Sequence, residues 1–247
     1  ITDLAVKDDN LIVATQGRSL WIIDDLTVLH QLDDSKKVQN TILFKPRDSY
    51  RTKGRASKKP SKTSGQNLEN GVITHFLLKN YSEKDTVQLT YTNMAGDTLA
   101  NYNSSAKKKD KKLEVKKGGN TFVWDTRGKG AEKLEGMILW WASLDGAKAV
   151  PGAYKVHLNV NGNNSSETFT ILPDPRAESS VAEMQKQFNF ITDINTTIEK
   201  AHQSITKIRN VTEQLNAFTE QYKDDDRTKD LVERAKVMKD KLGEVEK

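Results

Sequence analysis

The chain has 247 residues, of which 35% are hydrophobic and 30% charged, with a mean hydropathy of −0.71. A core must therefore come from a minority of segments, and one uniform globule is not expected. Cysteine is absent, which excludes a disulfide framework, a thiolate metal site and a cysteine nucleophile. The sequence holds no apolar run of about 18 residues, so no membrane span is expected. The net charge of +5, from 39 basic and 34 acidic residues, is too mild to argue for nucleic acid as a partner.

Short β-rich runs open the chain: Asp3-Leu4-Ala5-Val6, Asn10 to Thr15, and Ser19-Leu20-Trp21-Ile22-Ile23, separated by Asp8-Asp9-Asn10 and Gln16-Gly17-Arg18. Three such strands make a sheet too small to bury a core alone, so residues 1–32 are read as the end of something larger. Asp24-Asp25-Leu26 supplies carboxylates to cap a short helical turn running to about residue 32. Residues 33–70 form a linker whose stretch from 45 to 69 carries Lys45, Arg47, Arg51, Lys53, Arg55, Lys58, Lys59 and Lys62 among Ser, Thr, Gly and Pro. Tyr50 is the one aromatic residue there that could stack on bases, so a solvated loop is the expectation. A second lysine run at 107–112 reads as a hairpin tip.

Across residues 71–174 the period becomes two. Val72, Thr74, Phe76 and Leu78, then Val87, Leu89 and Tyr91, then Tyr154, Val156, Leu158 and Val160, then Phe169 and Ile171 each give a strand one buried face. Turn residues such as Asn161-Gly162 separate them. Several strands without intervening helices argue for an immunoglobulin-like antiparallel β-sandwich. Phe122, Trp124, Trp140, Trp141, Tyr154 and Phe169 are its candidate core aromatics, with one reservation: adjacent Trp140 and Trp141 on a strand would face opposite sides, so one must lie on the outer face or under another element.

Pro173-Asp174-Pro175 stops the sheet. Over residues 179–247 the period is helical: Val181, Met184, Phe188, Ile191, Ile194, Ile198, Ala201, Ile205, Ile208, Val211, Leu215 and Phe218 define one long apolar stripe, and Leu231, Ala235, Met238, Leu242 and Val245 a shorter one. An antiparallel helical hairpin is expected, with an unpaired apolar edge awaiting a further helix of this chain or of a partner. The fold class is thus mainly β with an α-helical tail.

Chemistry is sparse. His30, His75, His157 and His202 stand alone, without the i, i+4 pairing of a zinc helix, and the nucleophile-elbow, P-loop and dinucleotide patterns are absent. Asp24-Asp25 and Asp224-Asp225-Asp226 would serve glycosidic cleavage only across a cleft of about 5–9.5 Å, and capping accounts for both. No catalytic residue, cofactor or metal site is expected. The candidate interaction residues are Trp140, Trp141, Ile191, Ile198, Ile205 and Phe218.

The string from Asn10 to Leu26, Asn-Leu-Ile-Val-Ala-Thr-Gln-Gly-Arg-Ser-Leu-Trp-Ile-Ile-Asp-Asp-Leu, resembles the closing strands of the sortilin-like β-propellers with neuraminidase-type repeats found in large exported bacterial proteins. In order, Leu43-Phe44-Lys45-Pro46-Arg47, Asn70-Gly71-Val72-Ile73, Asn120 to Arg127, Val150 to Val156 and Leu172 to Arg176 resemble that family's post-propeller sandwich and its link to a helical tail. The resemblance implies a C-terminal piece of a longer exported polypeptide, located in the periplasm, at the cell surface or secreted. It implies a structural and protein-contact module whose partner is the preceding propeller or another chain. Its alternative is an accessory carbohydrate-binding part of a propeller glycoside hydrolase, with a glycan as partner. The Asp-box pattern of such repeats is absent here, so the resemblance carries no catalytic residue onto this chain.

Overall fold

The computed structural model describes residues 1–33, 38–52 and 69–246. Most of the basic stretch from 45 to 69 lies outside the described residues. The chain divides into two compact units, one of Ile1–Lys129 with Ala147–Asn189 and one of Gly130–Gly146 with Phe190–Lys247.

The first unit begins with an antiparallel meander of β1 (Asp3–Lys7), β2 (Asn10–Ala14) and β3 (Leu20–Ile23). Its turns use the residues whose backbone tolerates positive φ, Asp8 and Asp9 in the first and Gly17 in the second. A short helix α1 (Thr27–Gln31) follows, with Asp25 Oδ1 accepting the Thr27 amide at 3.0 Å. Arg47 clamps the meander by donating from Nη2 to the Asp8 carbonyl at 2.8 Å.

The remaining strands are β4 (Thr41–Leu43), β5 (Ser49–Arg51), β6 (Val72–Leu78), β7 (Val87–Asn93), β8 (Thr98–Asn103), β9 (Gly118–Trp124), β10 (Gly152–Val160) and β11 (Asn163–Pro173). They form a five-stranded sheet in the order β5-β11-β10-β7-β8 and a three-stranded sheet in the order β4-β6-β9. Every pairing is antiparallel except that of β5 with β11. Strand β5 falls inside the stretch expected to be loop. The expected alternation is seen in β6, where Val72, Thr74, Phe76 and Leu78 are buried and the residues between them are not. Buried Thr74 is satisfied by Tyr91, its hydroxyl 2.8 Å from the Tyr91 hydroxyl.

One hydrophobic cluster takes residues from both sheets. At its centre Trp124 stacks on Tyr91 with ring centroids 4.5 Å apart, and Tyr154 and Phe169 meet Trp124 edge-on. The Trp124 indole donates to the Arg127 carbonyl at 2.9 Å, so the ring is buried without leaving its N–H unpaired. Burial pushes the Tyr91 and Tyr102 hydroxyls upward, Tyr102 to about 12 with Asp125 and Asp110 adding to the rise. The β10–β11 hairpin turns on Asn161 and Gly162, both at positive φ, as a two-residue turn with the twist of its strands requires. Gly71 has no alternative: a Cβ there would lie 2.2 Å from the Trp124 carbonyl oxygen. The 107–112 lysine run forms a 3-10 turn at Lys109–Lys111, with Lys111 Nζ 5.8 Å from the Tyr102 ring centroid.

Helix α2 (Val181–Tyr222) is 42 residues long, about 63 Å at 1.5 Å per residue. A capping box starts it: the Ser180 hydroxyl accepts the Glu183 amide at 3.3 Å, and Glu183 Oε2 accepts the Ser180 amide at 2.8 Å. The Ser180 amide and the Ser180 hydroxyl, which also donates to Glu183 Oε2 at 2.8 Å, favour the Glu183 carboxylate and hold its pKa below the usual value. Helix α3 (Lys229–Glu246) follows a turn in which Asp225 accepts the Arg227 amide and pairs with its guanidinium. Together the helices hold about as many residues as the strands, so the expectation of a mainly β chain is corrected. The apolar stripe beyond residue 179 sustains more helix than a tail implies.

Candidate interaction site

Unit two is built on α2. Asn195, His202 and Arg209 are spaced by seven, which in a helix sets them on one face, and Glu199 lies beside them one turn from Asn195. Each engages the backbone of the segment Gly130–Gly146. Asn195, itself buried, donates its amide to the Asp145 carbonyl at 3.0 Å. Glu199 Oε2 accepts the Glu132 amide at 3.0 Å. His202 Nδ1 lies 2.7 Å from the Glu132 carbonyl, which can only accept, so Nδ1 carries the hydrogen. Arg209 Nη1 donates to the Glu135 carbonyl at 3.1 Å.

The segment closes on itself at its base, where the Ala131 amide donates to the Leu144 carbonyl at 3.0 Å. Gly130 makes that approach feasible, since a Cβ on it would fall 2.0 Å from the Leu144 oxygen. Farther out the Met137 amide donates to the Leu134 carbonyl at 3.1 Å, with Gly136 at positive φ. The tip then presents Ile138, Trp140 and Trp141, which are 75%, 83% and 98% exposed.

Trp140 and Trp141 are therefore not core residues and do not lie in a strand. The alternation argument that set them on opposite sides does not apply, and both are outside. Among the other core candidates Trp124, Tyr154 and Phe169 are buried and Phe122 is half-buried. The stripe residues Ile191, Ile198, Ile205 and Phe218 are half-buried rather than exposed. The bonds from Asn195, Glu199, His202 and Arg209 lay the loop segment along the middle of that stripe, and Phe218 packs on Tyr222 with ring centroids 5.0 Å apart. Helix α3 has Val232 and Ala235 buried but Leu231, Met238 and Val245 exposed, the last three at heptad spacing.

Sequence reasoning missed the polar ladder. Its signal was the spacing of seven between Asn195, His202 and Arg209, three polar residues beside an apolar stripe. It also missed a cleft of about 290 Å³ in the first unit, where Asp25, Asp48 and Glu69 face Arg47 and Tyr50. These carboxylates are far apart in sequence, so no local pattern announces them. Asp25 is engaged by Thr27, with His75 Nε2 at 3.6 Å, and Asp48 accepts the Thr170 amide at 2.9 Å. Among the described residues no group of three His, Cys, Asp or Glu could hold a metal ion, and no helix is long and apolar enough to cross a membrane.

No protein-family profile matches the chain, and no curated protein matches it.

Proposed function

We propose that this chain is a non-catalytic structural and interaction module of a larger exported β-propeller protein. In this reading β1 to β3 close a propeller blade, and the two sheets behind them form an immunoglobulin-like sandwich that buttresses it. The observation that carries the proposal is the state of the meander. Leu4, Val6, Leu20, Trp21, Ile22 and Ile23 are each more than half exposed. Leu20 to Ile23 are consecutive, so both faces of β3 are apolar and open. A sheet of that size and composition is not stable with both faces in water, and an adjoining blade would cover them. The cleft at Asp25 and Asp48 supports a non-catalytic reading, because both carboxylates already serve as acceptors for backbone amides.

Intact mass and peptide coverage of the protein from its natural source test the proposal. A mass well above 27.8 kDa, with peptides preceding Ile1, is the expected result. A 27.8 kDa monomer would remove it.

A second reading makes the chain an accessory carbohydrate-binding part of a propeller glycoside hydrolase. It draws on the exposed indoles of Trp140 and Trp141, which could stack on sugar rings. Retention on a glycan array that Trp140→Ala and Trp141→Ala abolish would establish it, and silence of the intact chain would end it.

A further inference from the structure

Residues 136–142 read Gly-Met-Ile-Leu-Trp-Trp-Ala, and in that run the only side-chain groups able to hydrogen-bond strongly are the two indole N–H groups. Trp141, at 98% exposure, is freer than any other large hydrophobic residue among those described, and Trp140 follows at 83%. A sugar needs hydroxyl partners beside the stacking ring, and this tip has almost none to give. What it presents is apolar volume.

We propose that residues 136–142 are a preformed plug for a protein receptor, an apolar pocket with a basic rim. The proposal rests on the reading of this chain as a protein-contact module, and it names the chemistry of one contact. The ladder of Asn195, Glu199, His202 and Arg209 fixes the base of the loop on α2 before any partner arrives. Such pre-organisation lowers the ordering cost of binding a receptor of defined shape. A bilayer needs no fixed presentation.

Charge sets the sign of the rim. Glu132, Lys133, Glu135 and Asp145 flank the tip, and Glu199 and Arg209 hold it, giving four carboxylates against two cations. That balance opposes anionic lipid headgroups and nucleic acid, and it complements lysine or arginine around a pocket. Area sets the scale. Two indoles supply about 150–250 Å² each, short of the roughly 800 Å² that one side of a standard protein interface buries. The plug is therefore the anchoring centre of a broader contact rather than a whole interface.

Hydroxyl-radical footprinting of the indoles, read by peptide mass spectrometry, tests this on the 247-residue chain and on the natural protein from its source. In the 247-residue chain Trp140 and Trp141 should oxidise at the rate of free indole. In the natural protein they should oxidise about tenfold more slowly or less, through non-ionic detergent, and a photo-crosslinker at position 141 should reach a peptide carrying Lys or Arg. Glu135→Lys, an exposed change, should reduce that protection severalfold while the thermal melt stays unchanged. Protection lost in detergent means a bilayer, and protection lost on deglycosylation means a glycan. Either overturns the plug, as does unchanged protection in Glu135→Lys or equal oxidation in both proteins. A 27.8 kDa source protein that runs as a monomer removes the module reading together with the plug, whereas exposed indoles within a larger protein remove the plug alone.

Discussion

Trp124 and the pair Trp140-Trp141 lie close in sequence and end in opposite surroundings. Trp124 closes β9, alternates inward, stacks on Tyr91 and has its N–H taken by the Arg127 carbonyl. Trp140 and Trp141 sit on a loop whose own backbone bonds are made at its base, leaving the indoles in water. The difference teaches that indole burial follows the element that carries it. A strand with one face on a core buries every second residue. A pinned loop exposes whatever stands at its tip.

Substitution should separate the two regions most sharply. Trp124→Ala should cost about 3–5 kcal/mol and lower or abolish the cooperative melt, whereas Trp140→Ala and Trp141→Ala should stay within about 0.5 kcal/mol of the parent. A large loss at Trp141 in calorimetry would mean that the tip packs within the chain. Gly130→Ala is the next largest test, because its Cβ would collide with the Leu144 oxygen. A local loss of about 1–3 kcal/mol is expected, read as faster hydrogen exchange at the Ala131 amide with the Trp124 core unaffected. Asn195→Ala removes one rung and leaves the Asp145 carbonyl without that donor, for a cost of about 1 kcal/mol.

The smallest effect is that of pH on the start of α2. The Glu183 pKa is lowered in the folded chain by its bonds to Ser180, so its contribution is present above the ordinary carboxylate value of 4.5 and is lost as pH falls through the lowered one. Amide exchange at Ser180 and Glu183 should rise as pH falls below the ordinary carboxylate value of 4.5 in the parent and be independent of pH in Glu183→Gln, once intrinsic exchange is divided out.

What the sequence made legible was periodic. Alternation in Val72 to Leu78 and the paired Asn161-Gly162 specify strands and a turn through local chemistry alone, and the three-to-four spacing from Met184 to Phe218 specifies α2. What it hid depends on contacts distant in sequence. The adjacent tryptophans fall within a region of alternating strands and so read as strand residues, and nothing local shows that Gly130 brings Leu144 back to the loop base. The loop segment bonded to Asn195, Glu199, His202 and Arg209 is likewise something that a helical stripe read in isolation cannot reveal. Asp25, Asp48 and Glu69 line one cleft through contacts distant in sequence, among them the bond from Arg47 to the Asp8 carbonyl.

The central claim is that the open faces of the meander are covered by protein in the natural molecule. Hydrogen exchange at the amides of Leu20 to Ile23 measures this directly, in the 247-residue chain and in the protein from its source. The account expects fast exchange in the former and exchange slowed by at least about a hundredfold in the latter, with peptides preceding Ile1. Equal rates in the two, in a source protein of 27.8 kDa, would contradict it.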